Sequence, residues 1–216
     1  MIRVLLVDDH PVVRAGYQRL LEQAGDISVV AQADRTDAAC AAFAEHAPDV
    51  TVTDLAMPGS GGLELIRRLL ARSPQARILV FSMHDSDMLV RRALEVGARG
   101  FLSKSSAPEA LLDGVRRVVG GERYLGPGLA SQWLTGPSPD NRLASLTPRE
   151  FEIFRLLARG ETPVGCAAAL NLSPKTVSNH QTVIKEKLGV STTAALVHLA
   201  IKHGVIQGDT GGGWVG

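Results

Sequence analysis

Short apolar runs alternate with amphipathic stretches through the first 120 residues. These short runs fall at about 2–7, 28–33, 49–53, 77–81 and 100–102. Each is strand-length and bounded by turn residues, which is how a buried strand reads. Between them, apolar positions spaced by three and four predict helices at about 11–24, 35–46, 62–72, 86–96 and 107–119. Ala47-Pro48, Ser73-Pro74 and Gly97 supply the breaks. Five such units predict an α/β fold: a five-stranded parallel, doubly wound sheet with helices on both faces and right-handed crossovers.

The pattern then changes. Gly120-Gly121, Gly126-Pro127-Gly128 and Gly136-Pro137-Ser138-Pro139 mark a linker, with a short helix near Leu129–Leu134. Four helices follow. Thr147, Pro148 and Glu150 form a capping box ahead of Phe151, Phe154, Leu157 and Ala158, and Gly160 ends that helix. Thr162-Pro163 opens a short alanine-rich helix to about Leu170. Ser173-Pro174 opens a third, to about Leu188. Ser191 caps a fourth, from Thr192 to about Lys202. The division is therefore 1–120, a linker at 121–142, a small all-α four-helix domain at 143–206 and a glycine-rich tail at 207–216.

Net charge is only +1, but it is unevenly placed. Residues 1–120 hold 14 Lys+Arg against 15 Asp+Glu, a net of −1; residues 142–206 hold 8 against 4, a net of +4. A localised basic excess suits a nucleic-acid-facing domain. Cys40 and Cys166 fall in different domains and read as reduced thiols rather than a disulfide. Strand-like sequence from residue 2 leaves no signal peptide visible, and no apolar run reaches the roughly 18 residues of a membrane span. The expectation is a cytoplasmic protein without a membrane partner.

The candidate chemistry sits just past the strands. Asp8 and Asp9 follow the first, Asp54 the third, Ser82 ends the fourth and Lys104 follows the fifth. In an open α/β sheet these ends share one crevice. Acids gathered there repel one another unless a divalent cation holds them, so Asp8, Asp9, Asp54 and the backbone carbonyl of Ala56 are candidate ligands of Mg²⁺. Asp54 is then a candidate nucleophile toward phosphorus. Lys104 and the Ser82 hydroxyl are candidate phosphoryl contacts.

Asp8-Asp9, Asp54, Ser82 and Lys104, with Met57-Pro58-Gly59 after Asp54, resemble the receiver domain of two-component response regulators. The resemblance implies a flavodoxin-like fold and Asp54 as phosphoacceptor, with Asp8 and Asp9 at the magnesium. It further implies a sensor histidine kinase as partner, and Phe101 as an aromatic that rotates with Ser82 on activation. Lys104-Ser105 stands where many receivers have Lys-Pro.

In the third C-terminal helix Val177, Ile184 and Leu188 share one face, while Lys175, Ser178, Asn179, Thr182 and Lys185 share the other. Small hydrogen-bonding side chains flanked by lysines suit a helix in a major groove. The segments Leu146-Thr147-Pro148-Arg149-Glu150, Leu172-Ser173-Pro174-Lys175-Thr176-Val177 and Lys187-Leu188-Gly189-Val190 resemble the LuxR-type DNA-binding domain, and the whole chain resembles NarL/FixJ-type response regulators. That implies base reading by Ser178, Asn179 and Thr182, and phosphate contacts by Lys175, Thr176 and Lys185 on double-stranded DNA. It also implies a phosphorylation-favoured homodimer through the last helix, and RNA polymerase as a further candidate partner. The competing readings are a phosphatase or phosphotransferase with an aspartyl nucleophile, disfavoured by Ala56 where such enzymes place a second acid, and a phosphate-independent DNA-binding protein.

Overall fold

A computed structural model describes residues 1–57, 61–129 and 142–206. The first part runs β1 (Ile2–Val7), α1 (Pro11–Gln23), β2 (Ile27–Ala33), α2 (Thr36–His46), β3 (Val50–Thr53), α3 (Gly61–Arg72), β4 (Ile78–Ser82), α4 (Asp87–Val96), β5 (Gly100–Ser103), α5 (Pro108–Val119) and β6 (Tyr124–Leu125). A 3₁₀ turn at Arg142–Ser145 leads into α6 (Pro148–Ala158), α7 (Pro163–Leu170), α8 (Pro174–Leu188) and α9 (Thr193–Lys202). The short helix expected near Leu129–Leu134, Leu129 itself apart, and the tail at 207–216 lie outside the described residues.

The sheet is parallel throughout, in the order β2-β1-β3-β4-β5-β6. Both faces are covered. In β1, Val4 and Leu6 enter the cluster with Leu111, Val115 and Val118 of α5, while Leu5 and Val7 enter the one with Leu65 and Ile66 of α3. Alternate residues of a strand point to opposite faces, so a strand buried on both reads as a continuous apolar run.

The sheet has six strands, not five. After α5 the chain turns at Gly121 (φ +89°) and lays Tyr124 and Leu125 parallel to Gly100 and Phe101. Two residues are too few to give a periodic signal. Packing fixes them instead: the Tyr124 hydroxyl donates to Ala110 O at 3.2 Å, and its ring fills space that a Cβ on Gly114 would enter at 2.8 Å. A second correction concerns α9, whose N-cap is Thr192 rather than Ser191; the Thr192 hydroxyl accepts from the Ala195 N–H at 3.1 Å.

The capping box of α6 forms as its sequence requires, with Thr147 and Glu150 bonded reciprocally. Glu150 also accepts from Lys187 Nζ at 2.7 Å, tying α8 to α6. Asn171 takes a left-handed conformation (φ 53°) between α7 and α8, making the tight turn of a helix-turn-helix.

The helical part packs against the α3–α4 side of the sheet, and one apolar cluster runs through both, from Ile66, Leu89 and Ala93 to Leu143, Leu146 and Phe151. Polar contacts frame this junction. Arg92 of α4 donates to Leu143 O at 2.6 Å and to Leu146 O. Arg149 meets Glu64 at 3.3 Å, and Arg159 Nη1 donates to Met57 O at 3.3 Å.

Candidate functional site

Strand register brings the predicted polar residues together. The Asp54 N–H donates to Val7 O at 3.0 Å and the Lys104 N–H to Ser82 O at 2.9 Å, so β1, β3, β4 and β5 end side by side. Gly62 lets the start of α3 close over β3: a Cβ there would stand 2.2 Å from Asp54 O.

Asp8 and Asp54 are buried, and Lys104 lies between them. Its Nζ donates to Asp8 Oδ2 and, at 2.6 Å, to Asp54 Oδ2. Asp54 Oδ1 accepts from Ser82 Oγ at 2.7 Å and from the Ala56 N–H at 3.0 Å. Burial alone would raise the Asp54 carboxyl, but the Lys104 ammonium and these hydrogen bonds hold it below the ordinary carboxylate value. Burial likewise works against the Lys104 charge, and Asp54 and Asp8 outweigh it, holding the ammonium above its usual value. Asp54 is thus an ionised, oriented carboxylate at the floor of a crevice. Phe101 is fully buried beneath the same strand ends.

Asp9 is only partly buried, yet its Oδ1 is shielded and without a hydrogen-bond partner among the described residues; His10 Nδ1 approaches to 3.0 Å. Asp8, Asp9 and His10 each offer a ligand atom within 4.8 Å of the others. His10 carried no sequence signal beyond following the two acids. Of Ala56 the structure shows the N–H bonded to Asp54, while Pro58 and Gly59 lie outside the described residues.

At the other end, Val177, Ile184 and Leu188 of α8 are buried. Lys175, Ser178, Asn179 and Thr182 are exposed; Lys185 and Thr176 are half-buried. Thr176 shares a 2.8 Å hydroxyl contact with the N-cap Ser173. Ser178 and Thr182 donate to the carbonyls of Pro174 and Ser178, so both hydroxyls must turn to donate to another group. The expected reading face looks outward although the two halves are docked.

Comparison with known proteins settles the family. Residues 4–116 match the response regulator receiver domain, and residues 144–200 match the bacterial regulatory proteins of the luxR family. The chain belongs to the NarL/FixJ (LuxR-type) response regulators. It is 44% identical over 209 residues to the transcriptional activator protein ExaE of Pseudomonas putida, covering 94% of this chain and 98% of the relative. It is 36% identical over 214 residues to the response regulator UvrY of Escherichia coli K12, covering 97% and 98%. Among solved structures, RcsB from Salmonella enterica serovar Typhimurium, bound to promoter rprA with the phosphomimetic BeF3−, is similar with a TM-score of 0.73 at 29% identity, covering 92% of this chain and 98% of that one. This response regulator has no helix, among its described residues, long and apolar enough to cross a membrane.

Proposed function

We propose that this response regulator is a DNA-binding transcription regulator whose receiver, residues 1–120, accepts a phosphoryl group on Asp54 from a sensor histidine kinase. The segment 121–142, whose first residues supply β6 to the receiver sheet, leads to the DNA-binding domain at 143–206 and the tail at 207–216. The observation that carries the reading is the Asp54 carboxylate, buried, ionised, and bracketed by Lys104 on one oxygen and Ser82 and the Ala56 N–H on the other.

These groups suit the chemistry in turn. Asp54 attacks phosphorus; Lys104 meets developing phosphoryl charge; Ser82 and the Ala56 N–H donate to phosphoryl oxygens. Hard carboxylate oxygens at Asp8, Asp9 and Asp54, with the Ala56 carbonyl, fit Mg²⁺, and the unpartnered Asp9 Oδ1 is a donor in want of a cation. When bound, Mg²⁺ offsets the charge of the acids and the phosphoryl oxygens. The receiver catalyses only its own phosphotransfer and autodephosphorylation, because Ala56 offers no general acid for turnover on other substrates.

Phosphorylation adds charge and strong acceptors beside Ser82 and Lys104, the strand ends on either side of α4. A shift there reaches Phe101, α4 and, through Arg92, the DNA-binding domain. The outcome is a homodimer on an inverted repeat, Ser178, Asn179 and Thr182 reading bases and Lys175, Thr176 and Lys185 holding phosphates. Two weak half-site contacts made together gain affinity through effective concentration. RNA polymerase is the natural next partner, and the cytoplasm the compartment where kinase and promoter meet.

Intact mass after incubation with acetyl phosphate and Mg²⁺ tests the reading. Wild type gains one phosphoryl group and binds promoter DNA as a dimer, and Asp54→Asn does neither. An Asp54→Asn protein that still gains the mass overturns the assignment.

A further inference from the structure

The mouth of the acidic crevice is lined from the DNA-binding half of the molecule. Arg155, on α6, and Arg159, at its C-cap, are one turn apart and therefore share a face. Arg159 reaches Met57 O on the loop after β3. The Arg155 guanidinium packs against Gly61, the first residue of α3, where a Cβ would stand 1.9 Å from its Nη2.

Arg155 is 3% exposed, and its only hydrogen bond among the described residues runs from Nη2 to Glu152 Oε2 at 3.1 Å. Its Nε and Nη1 have no hydrogen-bond partner among the described residues. Buried guanidinium N–H groups are seldom left so, since their hydration is lost without replacement. Glu152 is a poor counter-charge: burial pushes its carboxyl upward, and its Oε1 is itself unpartnered. The N-terminus of α3 adds further positive potential at the same spot. Donors outnumber acceptors here, beside a crevice whose floor is Asp54.

We propose that Arg155 and Arg159 form an anion-binding mouth that captures the phosphate of a small acyl-phosphate donor in the docked protein. The proposal rests on Asp54 being the acceptor. A guanidinium presents paired N–H donors that match phosphate oxygens. Once the donor is held, the bond from phosphorus to the acyl oxygen breaks, its electron pair leaving with the carboxylate. A bond forms from phosphorus to an Asp54 oxygen, and no proton moves. Docking therefore helps a small donor even as it crowds the mouth against a large one.

The test measures the initial rate of phosphoryl gain by the full chain, by intact mass, against acetyl phosphate concentration at fixed Mg²⁺. Arg159→Gln raises the half-saturating concentration about three- to tenfold and leaves the plateau rate nearly unchanged, as loss of one charge-assisted contact predicts. Arg159→Lys recovers most of the loss. Added salt weakens wild type more than Arg159→Gln. If Arg159→Gln has an unchanged or lower half-saturating concentration, the arginines only crowd the pocket and the proposal is overturned. A wild type that gains no phosphoryl mass at any concentration overturns the acceptor assignment, and this inference falls with it.

Discussion

Arg92 of α4 lies over the ring of Phe151 of α6, its guanidinium carbon 5.4 Å from the ring centroid. The same guanidinium donates to the carbonyls of Leu143 and Leu146 and pairs with Glu95 at 3.1 Å. One residue of the sheet domain thus holds the entrance of the helical domain through charge, hydrogen bonds and stacking. Its helix lies between β4, which ends at Ser82, and β5, which leads to Lys104. Arg92 thus sits on the element that joins the two phosphoryl-contact strand ends to the junction.

Arg92→Ala should open the molecule. Two buried carbonyls lose a charged donor and the Phe151 ring loses its cover, together costing about 2–4 kcal/mol of docking. Small-angle scattering should report a larger radius of gyration, while each domain keeps its own unfolding transition. An unchanged radius would mean that the apolar contacts of Phe151 and Leu146 suffice alone.

Gly62→Ala should strike the pocket without replacing any of its polar side chains. The added Cβ would meet Asp54 O at 2.2 Å and Leu55 Cα at 2.8 Å, both backbone atoms with no rotamer to escape into. Overpacking of this kind costs about 1–3 kcal/mol. The Asp54 backbone must shift, which disturbs its fit to Lys104 and Ser82, so phosphoryl gain should slow at least tenfold while α6–α9 unfold as before. A normal phosphorylation rate in a destabilised Gly62→Ala protein would show that the pocket tolerates the shift.

What the sequence disclosed follows from the range of the forces involved. Local periodicity and caps announced the strands from β1 to β5, the capping box of α6 and the two faces of α8. Strand ends meet by topology alone, which is why Asp8, Asp54, Ser82 and Lys104 could be placed together from afar. β6 stayed hidden because two residues carry no period. The junction of the domains stayed hidden for another reason. No local pattern marks Arg92, Glu64, Arg149 or Glu152 as junction residues, and only the tertiary fold pairs or buries them. His10 escaped because a histidine after two acids has no spacing that separates a ligand from a turn residue.

His84 gives the junction a pH dependence whose sign can be worked out. Burial, then the nearby positive charges of Arg159 and Arg155, hold the imidazole below its ordinary value of 6.5, against the opposing pull of Asp54 and Asp85. A depressed value means that the neutral form belongs to the folded state. Its contribution to stability is complete above pH 6.5 and is lost as pH falls through the folded value. Glu152 acts in the opposite direction, its raised carboxyl favouring the folded state toward acid. Comparing wild type with His84→Gln cancels that term. Between pH 7.5 and 5.5 the melting temperature of wild type should fall further than that of the variant. Parallel slopes would remove His84 from the account.

The exposed face of α8 makes a sharper prediction about how docking bears on DNA. Since Ser178, Asn179 and Thr182 already face solvent in the docked molecule, undocking uncovers no further base-reading residue of α8. A single half-site should bind wild type and Arg92→Ala alike. An inverted repeat should not, because its two reading helices must reach a fixed separation, and a loosened linker changes what a dimer can span. Substitutions on the face then separate by role. Asn179→Ala should cost about 1–3 kcal/mol on the preferred site and relax discrimination there, with little loss on random DNA. Lys185→Ala should weaken every sequence alike and reduce the slope of log affinity against log salt by about 1. Equal losses for Asn179→Ala on preferred and random DNA would place base reading on some other surface than α8.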